Sequence, residues 1–141
     1  MHHITHWIDG RHWQGQAARQ GQVFNPATGV QSAVVDFADT AVVDAAVDAA
    51  SRAFDRWRHA SLAQRSQVLF AFRHLVHTHR DELAAIITAE HGKVLPDALG
   101  EVTRGLEVVE FACGIPQLLK GGYSEAASSG VDVYSIRQPL G

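Results

Sequence analysis

At 141 residues, with 46% hydrophobic and 19% charged residues, this sequence has the composition of a globular domain and not of a disordered tail. A net charge of −3 provides no basic field for nucleic acid, so a polyanion partner is not expected, and no run approaches the ~20 apolar residues of a membrane span. A single cysteine, Cys113, excludes an intrachain disulfide, and Met1-His2-His3-Ile4 lacks the basic start and apolar core of a secretory leader, which together make the cytoplasm the expected compartment.

In chain order, Trp7-Ile8 and Arg11-His12-Trp13 flank Asp9-Gly10, the pair favoured in a two-residue hairpin turn. Asn25-Pro26-Ala27-Thr28-Gly29 predicts a turn between extended runs, with a strand resuming from Ser32 to Phe37. His2, His3 and His6 are expected to be solvated. Asp39 is a good N-cap, after which Val43, Val47, Ala50, Phe54 and Trp57 line one face of a first helix, the face expected to pack.

Ser61-Leu62-Ala63-Gln64 has the form of a capping box, followed by the stripe Val68, Leu69, Phe72, Leu75 and Val76 of a second helix. A third helix carries Leu83, Ile86 and Ile87 and ends at Gly92, suited to a left-handed terminus. The fourth begins near Pro96 and runs to about Cys113. Gly121 to Gly130 reads as a surface loop, and Val131 to Arg137 alternates like a strand in need of a neighbour.

On the fourth helix Leu99, Val102, Leu106, Val109 and Cys113 form one stripe, while Val108 and Phe111 form another that Arg104 joins one turn earlier. A guanidinium there is expected to be partly dehydrated and to require a carboxylate. Two readings are open. Glu101 and Glu107 at i−3 and i+3 supply ordinary helix ion pairs; alternatively, Arg104 forks onto the carboxylate of a ligand, where two parallel donors match two oxygens. Cys113, on the apolar stripe, reads as a buried, inert thiol with no base nearby. His74, His77 and His79 read as a polar helix end and not as a metal site. Neither Gly92-Lys93 nor Gly121-Gly122 has the spacing of a phosphate loop.

Taken together, Asn25-Pro26-Ala27-Thr28-Gly29, Ala53-Phe54 with Trp57, Arg65 before Leu69, and Glu90-His91-Gly92-Lys93 resemble the N-terminal part of the aldehyde dehydrogenase superfamily. Gly100-Glu101-Val102, Arg104 to Ala112, Val131 to Ser135, Arg137 and Pro139-Leu140-Gly141 resemble its CoA-acylating methylmalonate-semialdehyde dehydrogenases. The resemblance implies an α/β fold in three parts: a β-hairpin region over 1–38, four helices over 39–120, and a loop with one oligomerisation-arm strand over 121–141. It implies a homo-oligomer that uses NAD and CoA to oxidise methylmalonate or malonate semialdehyde, with a cysteine thiolate attacking the aldehyde and carbon dioxide lost before acyl transfer to CoA.

Arg104 matches the arginine that holds the substrate carboxylate. The family's catalytic cysteine, its oxyanion asparagine and its NAD-binding residues have no counterparts in this sequence, and Cys113 does not match the nucleophile. The 141-residue chain is therefore expected to be a segment that lacks the Rossmann core and catalytic domain, that is inactive alone, and that binds neither NAD nor CoA. The rival readings are a non-acylating aldehyde dehydrogenase segment and a binding module whose terminal strand adds to a partner's sheet.

Overall fold

The computed structural model describes residues 2–140; Met1 and Gly141, which belong to the motifs at the chain's two ends, lie outside the described residues. The first quarter is β, as expected. A three-stranded sheet has the order β1-β5-β4, from β1 (His2–Ile4), β4 (Arg19–Phe24) and β5 (Gln31–Phe37). β4 pairs antiparallel to β5 and β1 pairs parallel to it, with His3 opposite Val34. Between them β2 (Trp7–Ile8) and β3 (Arg11–His12) form the expected hairpin, with Asp9 and Gly10 both at positive φ, 56° and 73°.

His3 is exposed, as expected of the terminal histidines, but it also has a partner in the protein. Its Nε2 lies 2.7 Å from Oδ1 of buried Asp36, which also accepts from Gln20 Nε2 at 2.8 Å. These bonds, His3 first, hold the Asp36 carboxyl below its ordinary value. The expectation of solvation fails at His6, whose Nε2 is buried without a hydrogen-bond partner. The His3 pair depends on a carboxylate 33 residues away, which strand pairing brings alongside.

Helix α1 (Thr40–Trp57) is capped by Asp39, whose side chain accepts from the Val42 amide at 3.0 Å. Its expected packing face is corrected by the structure. Val42 is the buried residue, and Ala45, Ala46 and Ala49 are half-buried beside the hairpin, whereas Val43, Val47 and Trp57 stay exposed. Small side chains permit close approach to the hairpin; the larger stripe faces outward.

Helix α2 (Leu62–Thr78) opens with both halves of the Ser61–Gln64 capping box, and α3 (Arg80–His91) ends at Gly92 with φ 82°. Helix α4 (Leu95–Cys113) places Pro96 in its first turn. A fifth, one-turn helix, α5 (Ile115–Leu118), extends the expected set of four, because Gly114 breaks α4 and Pro116 can start a new turn. The core lies among α2, α3 and α4: Ala84 and Ala98 are fully buried, Val102 nearly so, with Val76, Leu83, Ile87 and Leu99 packed around them. On α2 only part of the predicted stripe turns inward, since Val68, Phe72 and Leu75 remain exposed.

The segment expected as a loop is also corrected. Tyr123–Ser128 is a strand, β6, pairing antiparallel with β7 (Val131–Tyr134) to make a two-stranded ribbon. β7 is thus shorter than the run to Arg137 and has its neighbour within the chain. The Ser- and Ala-rich composition of β6 hid it, because polar bonds and not an apolar face secure it. Asp132 accepts from Tyr123 Oη at 2.7 Å and from the Ala126 amide at 2.8 Å, fixing the irregularity where Ala126 has φ 49°. At the ribbon's base Gly121 passes so close to Ser135 that a Cβ would clash with its carbonyl oxygen. No described helix is long and apolar enough to cross a membrane.

Candidate functional site

The residues around Arg104 are positioned by two turns that are far apart in sequence. In the first, Asn25 Oδ1 accepts from the amides of Ala27 and Thr28, closing the turn that presents Pro26. In the second, Gly92 ends α3 in the left-handed region, where a side chain would be strained and a Cβ would come within 3.2 Å of Pro26 Cγ. The Asn-Pro-Ala-Thr-Gly and Glu-His-Gly-Lys segments therefore meet, and the chain leaving that contact carries Lys93 towards α4.

Lys93 Nζ lies 2.8 Å from Oε1 of Glu101, and Arg104 Nη2 lies 2.9 Å from the same oxygen. The Lys93 hydrogen bond, then the Arg104 and Lys93 charges, hold the Glu101 carboxyl below its ordinary 4.5. Arg104 leans back over α4, so a Cβ at Gly100 would touch its Nη1 at 3.4 Å. Glu107, the other carboxylate within helical reach, has no ion pair among the described residues.

The expectation of a partly buried Arg104 is not met. Its side chain is 64% exposed, and it is paired with Glu101. The two stripes of α4 differ in fate: Leu99, Val102, Leu106 and Val109 turn to the core or its margin, while Val108 and Phe111 are largely exposed with Arg104. Periodicity places both stripes; only packing decides which is covered. Sequence reasoning misses Lys93 as a partner because it lies eight residues before Glu101, across a turn. The usable signal is the left-handed glycine just ahead of it.

Other candidates stay apart from this cluster. Cys113 is half-buried at the end of α4. His79 Nδ1 lies 3.0 Å from Glu82, three residues on in the first turn of α3, and no group of three His, Cys, Asp or Glu among the described residues is placed to hold a metal. Arg73 sets Nε and Nη2 on Glu110 at 2.9 and 2.6 Å, tying α2 to α4.

The sequence profile of the aldehyde dehydrogenase family matches residues 13–141. This chain belongs to the aldehyde dehydrogenase family. It is 41% identical over 138 residues to malonate-semialdehyde dehydrogenase of Pseudomonas aeruginosa, covering 98% of this chain and 28% of that protein. It is equally identical to the mitochondrial acylating methylmalonate-semialdehyde dehydrogenase of Arabidopsis thaliana, of which it covers 23%.

Among solved structures, methylmalonate-semialdehyde dehydrogenase from Oceanimonas doudoroffii superposes with a TM-score of 0.93 at 43% identity, over 99% of this chain and 28% of that one. A methylmalonate-semialdehyde dehydrogenase assigned in Sinorhizobium meliloti 1021, solved with NAD, gives the same TM-score at 42% identity and covers 29% of that chain. This aldehyde dehydrogenase sequence thus spans about a quarter of the length of the relatives it matches.

Proposed function

We propose that this chain is the N-terminal segment of an NAD-dependent, CoA-acylating dehydrogenase that oxidises malonate or methylmalonate semialdehyde to acetyl-CoA or propionyl-CoA with loss of carbon dioxide, as in valine and pyrimidine breakdown. The observation that carries this is identity of 41–43% to enzymes bearing those names across nearly the whole of this chain. A benzaldehyde dehydrogenase of Corynebacterium glutamicum, by contrast, is 27% identical.

In this reading Arg104 holds the substrate carboxylate. Its exposure favours the role, since an arginine on an open helix face is accessible to a ligand oxygen, and Gly100 leaves room beside it. A carboxylate fixed at one end orients the aldehyde at the other, which lowers the entropic part of the barrier. The β6–β7 ribbon, with Val133, Tyr134 and Ile136 exposed, is the natural arm for association with further copies of the enzyme. The cytoplasm suits a chain with one cysteine.

In this reading NAD and CoA are held by parts of the enzyme outside this segment. Gly92-Lys93 follows the C-terminal end of α3, whose carbonyl dipoles repel phosphate, and Gly121-Gly122 leads into a strand and not a helix N-terminus. Only β1 and β5 run parallel, so no doubly wound sheet is present among these residues.

The decisive test is Arg104→Ala in a full-length dehydrogenase carrying this segment. Transition-state stabilisation for malonate semialdehyde should fall by about 2–5 kcal/mol, and that for propanal should barely change. Equal losses on both substrates would remove the carboxylate role.

A further inference from the structure

We propose that Glu101 is the resident counter-ion of Arg104, a carboxylate that the substrate's own carboxylate displaces while Lys93 keeps hold of it. This rests on the reading of Arg104 as the substrate's anchor. One oxygen, Glu101 Oε1, serves both cations, at 2.8 Å from Lys93 and 2.9 Å from Arg104.

The two contacts are unequal. Lys93 is 19% exposed and is delivered by the Gly92–Pro26 contact, whereas Arg104 is 64% exposed and reaches Glu101 only across one turn of its own helix. Water and salt screen the exposed pair more strongly, so it is the first to break. When it breaks, Glu101 still has Lys93, and no carboxylate is left uncompensated. A single acidic partner held by Arg104 alone would make displacement far less favourable.

The shape of the contact also favours exchange. Arg73 shows what a two-donor grip looks like, with Nε and Nη2 both on Glu110; the closest approach of Arg104 to Glu101 is one Nη2 contact. An incoming carboxylate can offer two oxygens to the guanidinium fork and improve on that contact. Arg104 meanwhile pairs with Glu101 and not with Glu107, so the residue anchored by Lys93 is also the one that sets where the guanidinium rests. Glu101 is on this account a positioning residue that tunes selectivity between charged and neutral aldehydes.

Two variants with opposite signs test this in a full-length dehydrogenase carrying the segment, with malonate semialdehyde and propanal as substrates. Glu101→Gln keeps shape and hydrogen-bonding capacity but removes the competing charge, so KM for malonate semialdehyde should fall about two- to five-fold relative to KM for propanal. Lys93→Met leaves Glu101 dependent on Arg104, so KM for malonate semialdehyde should rise by a similar factor. A rise in KM with Glu101→Gln, or an equal shift for both substrates, overturns the counter-ion role even if Arg104→Ala discriminates the two aldehydes. If Arg104→Ala treats both aldehydes alike, the anchor reading fails and this inference fails with it.

Discussion

The α2–α4 cluster and the β6–β7 ribbon are held together by opposite means. The cluster closes around Ala84, Ala98 and Val102, apolar residues brought together from separate helices. The ribbon has no buried residue; its shape comes from Asp132 bonding Tyr123 and Ala126, and from Ser135 meeting Gly122 through its amide and hydroxyl. The stability of an apolar core depends on volume and not on pH, whereas that of a ribbon pinned by a carboxylate and a phenol depends on pH as well.

The largest effect that would break this contrast is on the core. Ala84→Leu places three extra carbons in a fully buried site, which should destabilise the helices by about 1–3 kcal/mol. Urea unfolding followed by circular dichroism at 222 nm measures it, and amide exchange in the ribbon should be unaffected if the two regions are independent. An unchanged urea midpoint would show that the cluster is loosely packed.

The next test falls on the ribbon alone. Gly121→Ala drives a methyl group into the Ser135 carbonyl oxygen, a clash that only a backbone shift can relieve. The Ser135 amide, which donates to the Gly122 carbonyl at 2.9 Å, should lose its hydrogen-exchange protection, while the helical signal stays constant. Retained protection would mean that the base of the ribbon is not closed by that approach.

The smallest effect, and the sharpest discriminator, is pH. Asp132 is lowered by the Ala126 amide and then by Tyr123, so its contribution is complete above the ordinary 3.8 and is lost as pH falls through its lower folded value. Tyr123 is raised by Asp132, so its contribution is complete below the ordinary 10.0 and is lost as pH rises through its higher folded value. Ribbon protection factors, with the intrinsic pH dependence of amide exchange divided out, should therefore fall at both extremes, and Asp132→Asn should flatten the acid limb. Helix protection that follows the same acid profile would contradict the separation of the two regions.

What the sequence determined by itself was local. Asp39, the Ser61–Gln64 box, the Asp9-Gly10 turn and the left-handed end at Gly92 are all as expected, because each depends on hydrogen bonds and dihedral preferences within a few residues. The two stripes of α4 were equally legible as periodicity. Which stripe is covered, which face of α1 meets the hairpin, and that β6 is a strand were decided by tertiary structure. So was the site: Pro26 against Gly92, Lys93 on Glu101 and His3 on Asp36 join residues from different elements. Burial and charge pairing are properties of neighbours in space, and a helical or strand pattern names the faces of an element without naming what will stand opposite them.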